Sequence, residues 1–471
     1  MNLARSSLKL YIANVTSAGV SFLGITYFAR ELGATPIGVF FLFEALLGIL
    51  AIPADFGLRG AVEKRISEGK SQSEYLSSAV ILKAIPVVAI VLGILLLRSF
   101  INRYLGANIA VFLAVAIVLQ EAAQLTVAVL KGELRVDETA VLQLVRQVTW
   151  VGVGVVLVSQ GFGVVSLVYG LLTGLVFMLV LGWYKCSITL GQPSREHLHS
   201  LFAYGKYDIV YSVGGYFYNW MDVLIIGFFL TQAHVGAYEI AWRITGMVIM
   251  LSNSVASAIF PQLSKWSATE MTAKVEQLLP YTFISSAVII IPGFVGGTLL
   301  STHILRILFG QEYVIASGVL SLLLLEKVFE GGQNMISSTL RGLNRPDLLA
   351  KASLIAQIAN VVLNLALIST FGLIGAAVGT LLASLIGDSL SYYYADGIIN
   401  IRLPYKEVAL TILSSVIMGV GIHILLAQVK VDTTMELTLV ILTSLLIYAV
   451  FEITLVAEVR KWLTASLKPL L

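Results

Sequence analysis

Four cations of this chain stand inside long apolar runs. Lys83, Arg146, Arg243 and Lys327 each interrupt such a run, and Arg30 closes the first one. A charge at bilayer depth is costly and normally faces a cavity, a partner or the interface. Guanidinium groups match phosphate oxygens two at a time, and an ammonium supplies a point charge. A cavity lined by these five residues would attract anions and suit a phosphate or diphosphate headgroup. The same runs carry Glu44, Glu121, Asp222, Glu239, Glu326, Glu330, Asp388 and Glu452. Each can neutralise a cation or carry a coupling proton. Asp222, near the middle of its run, is the first coupling candidate, with Glu121, Glu239 and Asp388 beside it. The structural alternative is specific too: Glu239 and Arg243 are one helical turn apart and can simply pair, while Arg30 can snorkel outward.

Aromatic residues crowd one run: Tyr204, Tyr207, Tyr211, Tyr216, Phe217, Tyr218 and Trp220. Rings with polar tips stack on sugar faces, which makes Tyr218 and Trp220 candidate carbohydrate contacts. Tyr204 and Tyr207 fit an ordinary interfacial belt. Signals of soluble chemistry are missing. There is no phosphate-binding glycine loop, hydrolase elbow or zinc-protease helix. His197 and His199 lie two apart with nothing to complete a metal site, and the single Cys186 excludes an internal disulfide. The expectation is a non-enzyme with no cofactor, no metal and, at a net charge of +3, no nucleic-acid partner.

The elements that hold these residues follow from composition. The 471 residues are 58% hydrophobic and 12% charged, against roughly 25% charged in soluble domains. Apolar runs of about 20 residues recur, each long enough to cross the hydrocarbon as a helix. They are continuously apolar rather than alternating, which excludes a transmembrane barrel. Spans are predicted near 9–30, 36–56, 76–98, 107–130, 138–159, 163–184 and 207–230, and near 235–262, 278–300, 314–340, 347–369, 373–395, 406–428 and 436–457. The fold class is therefore all-α and polytopic, with about fourteen transmembrane helices. With the N-terminus inside, 21 of the 30 Lys and Arg residues fall in inner segments and 5 in outer ones. The positive-inside rule then places both termini in the cytoplasm of a cell-membrane protein. The first span follows Arg5 and Lys9 without a cleavage site and reads as retained.

Two inner loops repeat each other. Leu130-Lys131-Gly132-x-x-Arg135-x-Asp137-x-x-Ala140 matches Leu340-Arg341-Gly342-x-x-Arg345-x-Asp347-x-x-Ala350, and Phe162-Gly163 with Gly170 matches Phe371-Gly372 with Gly379. The chain reads as a tandem duplication of six spans: 1–190 and 191–400 as parallel six-helix lobes, and 401–471 as two further helices with a tail. Gly132 and Gly342 would end one helix, and Asp137 and Asp347 would cap the next. The segment Leu58 to Lys70 is amphipathic and is expected to lie among lipid headgroups. Lys185 to Lys206 reads as the linker between lobes.

Phe28-Ala29-Arg30-Glu31-Leu32-Gly33, then Gly38, then Asp55-Phe56-Gly57-Leu58 and Arg65-Ile66-Ser67 resemble the polysaccharide-biosynthesis flippases. These are the repeat-unit and O-antigen translocases of the multidrug/oligosaccharidyl-lipid/polysaccharide exporter superfamily. The likeness continues through the Gly-x-x-Arg-x-Asp loops and covers most of residues 1 to 400, while the extra two spans resemble the lipid II flippase branch. The resemblance implies two lobes around a central cavity, alternating access, and a polyprenyl-linked oligosaccharide whose tail stays among the membrane lipids. Glycosyltransferases or a polymerase of the same pathway are the implied partners. The alternatives are a multidrug or organic-cation exporter of the same superfamily, which favours a carboxylate-rich cavity, and a non-transporting membrane subunit of a glycan-assembly complex. A membrane-embedded glycosyltransferase would need a catalytic carboxylate or metal pair on a sizeable outer loop, and none is visible.

Overall fold

Hydrocarbon offers backbone amides no partner, and a helix satisfies each of them internally, so the apolar runs fold as helices. The computed structural model describes the backbone of residues 3–268 and 272–467, and the side chains of residues 12–206, 220–250, 252–253 and 276–462. Among these residues there are helices and no strand. The chain divides into two compact units, Met1–Gly236 and Ala237–Leu471.

Unit 1 contains α1 (Leu3–Leu32), α2 (Ala34–Asp55), α3 (Leu58–Ser67), α4 (Gln72–Leu96), α5 (Arg98–Leu105), α6 (Ala110–Gly132), α7 (Val136–Ser159), α8 (Val165–Lys185) and α9 (Arg195–Phe229). The α10 helix (Gln232–Ala268) begins there and continues into unit 2. Unit 2 adds α11 (Thr272–Leu299), α12 (Ser301–Ile304), α13 (Ser317–Gly342), α14 (Pro346–Asp396), α15 (Tyr405–Gln428), α16 (Thr434–Leu455) and α17 (Ala457–Leu467). Ten of these helices, by their described residues, are long and apolar enough to cross a membrane. The 51-residue α14 turns at Gly372, where φ is 60° and ψ −137°, and supplies two spans. Helices α9, α10 and α13 are long as well but carry polar residues along their length. Each of the expected spans overlaps one of these helices. The protein is an all-α polytopic membrane protein.

Burial is inverted relative to a water-soluble fold: large apolar side chains such as Leu96 (84% exposed) and Leu446 (67%) form the outer surface. Inside unit 1, Leu58, Ala61, Val62 and Ile66 of α3 pack with Leu76, Leu125, Val129 and Leu201. This corrects the expectation for the 58–70 segment. Its apolar face is buried in protein rather than in lipid, and Glu63 and Lys64 are left exposed. In unit 2 the last two spans are bound into the core. Thr411 on α15 donates to Glu452 on α16 at 2.7 Å, and Tyr448 donates to the Val288 carbonyl on α11 at 2.8 Å.

The repeated loops share a backbone conformation. Leu134 (φ 61°) and Asn344 (φ 57°) are both left-handed. The Arg135 amide donates to the Leu130 carbonyl and the Arg345 amide to the Leu340 carbonyl, each at 2.9 Å, which is the helix-ending pattern that closes on a left-handed residue. Gly132 and Gly342 are therefore not the terminators. They are buried in the last helical turn, where a Cβ at Gly132 would strike Ile66. Asp137 and Asp347 sit in the first turn of the next helix, behind cap residues Arg135 and Arg345. There a carboxylate complements the helix dipole, and that of Asp347 also accepts from the Asp347 and Leu348 amides. Gly163 and Gly372, the second repeated pair, both have φ of 60°.

Candidate functional site

The charged residues gather into two sets, one in each unit. In unit 1 the chain leaves α2 through two successive left-handed residues, Phe56 (φ 51°) and Gly57 (φ 72°). The turn brings Arg59 back against Asp55, and Phe56 is held in place by stacking on Phe202 at 5.6 Å. Lys83 of α4 reaches Asp55 at 2.7 Å and Glu121 of α6 at 2.8 Å, while Arg59 reaches the same two carboxylates at 3.2 and 2.5 Å. Two cations thus face two anions. Lys83 is 4% exposed and Glu121 1%, so among the described residues these four charges balance one another at a four-helix junction. The sequence expectation had Lys83 lining an anion cavity and Glu121 as a coupling group; the structure places both here.

Arg146 is different. It is half-buried on α7, its Nε has no hydrogen-bond partner, and the carboxylate acting on it is that of Glu44 on α2. Gly174 of α8 lies so close to the Arg146 carbonyl that a Cβ would stand 2.6 Å from it. This packing fixes the helix turn from which the guanidinium projects. Arg30 is exposed at the end of α1. Trp220 is half-buried on α9, with its indole over Gly48 of α2, and Asp222 is buried a half-turn further on. Tyr218, with its neighbours 207–217, lies outside the residues whose side chains are described.

In unit 2, Glu239 and Arg243 form an ion pair at 3.0 Å, as their spacing predicts. Lys327 of α13 is 3% exposed and is held by Glu326 at 2.8 Å and Glu330 at 2.5 Å. Its ammonium also lies 4.3 Å from the centre of the Trp242 ring, a cation–π contact strengthened where water is excluded. Asp388 of α14 accepts a bond from Ser384 at 3.2 Å and feels the charges of Glu326, Glu330 and Lys327. Two carboxylates hold this ammonium and a third, Asp388, lies within electrostatic reach, an imbalance of negative charge that a proton or a small cation would offset. Polar contacts continue along the unit: Asn334 donates to Asn253 at 2.6 Å and Gln333 to Ser391 at 2.8 Å. Trp242, Asn253 and Asn334 were not singled out from the sequence, although Trp242 sits between Glu239 and Arg243 on the same helical face. Among the described residues no three His, Cys, Asp or Glu side chains converge as a metal site would require. His197 instead closes the start of α9 against Ser194 and packs edge-on against Tyr75 at 4.5 Å.

A membrane fold with cationic and carboxylate side chains at bilayer depth, built on a duplicated loop, narrows the kinship to a transporter-like family. A family model described as polysaccharide biosynthesis protein matches residues 28–318. The chain belongs to this family. It is 50% identical over 448 residues to the probable low-salt glycan biosynthesis flippase Agl15 of Haloferax volcanii, covering 95% of each chain. It is also 29% identical over 464 residues to the probable flippase AglR of the same organism, covering 98% of this chain and 97% of that one. Among solved structures, the lipid II flippase MurJ in an inward closed conformation superposes with a TM-score of 0.78 at 19% identity, over 96% of this chain and 99% of that one. That likeness speaks to the fold.

Proposed function

We propose that the protein is a flippase that carries a polyprenyl phosphate- or diphosphate-linked oligosaccharide from the cytoplasmic to the outer leaflet, for assembly of surface glycan. The observation that carries this reading is the half-identity to Agl15 along nearly the whole chain, joined to cations held at bilayer depth. The lobes, residues 1–190 and 191–400 with 401–471 appended, open alternately to either side, and the matched backbone of the repeated loops supports that duplication. The cation-rich ends face the cytoplasm, as do both termini. Glycosyltransferases or a polymerase of the pathway hand over and receive the cargo.

Arg146 of unit 1, with donors to spare, is one candidate grip on phosphate, and Arg243 with Lys327 of unit 2 is another, each exchanging a carboxylate partner for a phosphate oxygen. Arg30, exposed at the end of α1, is a further headgroup contact, and Trp220 and Tyr218 contact sugar. Lys83 serves mainly as architecture. Asp388 is the first coupling group, because it stands with Glu326 and Glu330 where carboxylates outnumber the one ammonium; Asp222 is the second candidate. The test is headgroup transfer in vesicles by Arg146→Ala, Arg243→Ala and Lys327→Ala. Each is expected to lose at least tenfold in rate, about 1.4 kcal/mol of barrier. Unchanged transport in all three rules out this cation site.

A further inference from the structure

We propose that Trp242, Gly246, Asn253 and Asn334 of unit 2 form a wall that binds a sugar ring of the cargo. This inference rests on the flippase reading above and assigns its glycan subsite. On α10, Glu239, Trp242, Gly246 and Asn253 follow at i, i+3, i+7 and i+14; on α13, Lys327, Glu330, Asn334 and Arg341 follow at the same intervals. Each set lies on one helical stripe. The stripes meet twice, at Lys327 over Trp242 (4.3 Å) and at Asn334 to Asn253 (2.6 Å).

From Arg243 to Asn253 is ~15 Å of helix, and both fall inside the span predicted near 235–262. Asn253 is exposed there and Asn334 half-exposed. Amides bared to lipid would forfeit hydrogen bonds worth several kcal/mol each, so this stripe faces water or a polar ligand. After bonding Asn253, Asn334 keeps its carbonyl oxygen and a second N–H. A donor and an acceptor side by side suit neighbouring hydroxyls.

The shape of the wall points to a ring. Gly38 and Gly48 on α2 and Gly236 and Gly246 on α10 are both ten residues apart. At Gly48 the missing side chain makes room for the Trp220 indole, whose Nε1 would stand 2.8 Å from an added Cβ. Gly246 is exposed, and an added Cβ there meets no heavy atom within 4 Å. It leaves open space one turn from Trp242 and Arg243, where a ring can approach the helix backbone.

The test measures binding of two probes to the full-length protein in nanodiscs: a polyprenyl phosphate bearing a hexose oligosaccharide, and the bare polyprenyl phosphate. Gly246→Trp, which puts a bulky side chain into that open space, and Asn334→Leu are expected to weaken the glycosylated probe about tenfold, the scale of one lost hydrogen-bonding site. Both should leave the bare phosphate within about twofold, and Asn334→Gln should recover part of the loss. Thermal unfolding of each variant identifies any that misfolds, and Asn334→Gln then carries the comparison. Equal weakening of both probes, or of neither, overturns the sugar wall and leaves the flippase reading standing. Failure of the wild-type protein to bind either probe refutes that reading and the wall with it.

Discussion

Lys83→Met offers a quantitative check on the distinction between architecture and cargo contact. The lysine carries one of two positive charges in a lattice with Asp55, Arg59 and Glu121, and its ammonium is 2.7 and 2.8 Å from the two carboxylates. Methionine keeps most of the volume and removes the charge, so a net negative charge stays buried. Breaking a buried ion pair from one side costs about 3–5 kcal/mol, or roughly two to three and a half powers of ten in the folded-to-unfolded ratio. Glu121→Gln leaves the opposite imbalance and is expected to cost a similar amount. The double variant leaves Arg59 facing Asp55 alone, a neutral pair 3.2 Å apart. It is expected to recover most of the loss, with a coupling energy of about 2 kcal/mol or more, within the range for contacting residues. Reversible unfolding of the purified protein in mixed micelles, followed by helical circular dichroism, measures all four corners. A Lys83→Met protein as stable as the wild type, or a double variant no better than the sum of the singles, refutes the lattice.

Further predictions concern packing, backbone and a thiol. Gly174→Leu is expected to force α8 away from α7 at the Arg146 carbonyl, costing at least ~1–3 kcal/mol and lowering transport along with Arg146 function; denaturation and vesicle transfer together check it. Leu134→Gly removes a side chain that is 62% exposed and left-handed, so it should stabilise the fold by about 1 kcal/mol, measured as a raised unfolding midpoint. Burial and the nearby Glu133 carboxylate push the Cys186 thiol up to about 11, opposed by Arg135. Only the thiolate reacts, so maleimide labelling of this single cysteine should be slow at neutral pH and climb about tenfold per pH unit towards 11. Rapid labelling at neutral pH contradicts its buried placement.

Much of the fold was legible because hydrocarbon imposes a one-dimensional rule: about twenty apolar residues make a span. The break within α14 was legible for the same reason: the backbone leaves helical geometry at Gly372, between the two spans. The Glu239–Arg243 pair was legible from its four-residue spacing. Lys83 was not, because its partners lie 28 and 38 positions away and are set by how α2, α4 and α6 pack. The direction of the α3 apolar face was misjudged for a related reason. Amphipathicity says that a face is buried, and lipid and protein read alike in the sequence. The loop glycines misled because left-handed conformations fell two residues later, on Leu134 and Asn344, leaving Gly132 for helix contact. Trp242, Asn253 and Asn334 are individually ordinary, and only the approach of α10 to α13 makes them a set.

The central claim is tested most directly by placing a fluorescent polyprenyl-linked oligosaccharide in vesicles containing the purified protein and exposing them to a membrane-impermeant glycan-degrading enzyme. Facilitated flipping predicts that both leaflets become accessible, with loss of signal continuing well beyond the outer-leaflet fraction, and that Arg146→Ala stops the reaction at that fraction. Arrest at the outer-leaflet fraction with the wild-type protein, as in protein-free vesicles, would contradict it.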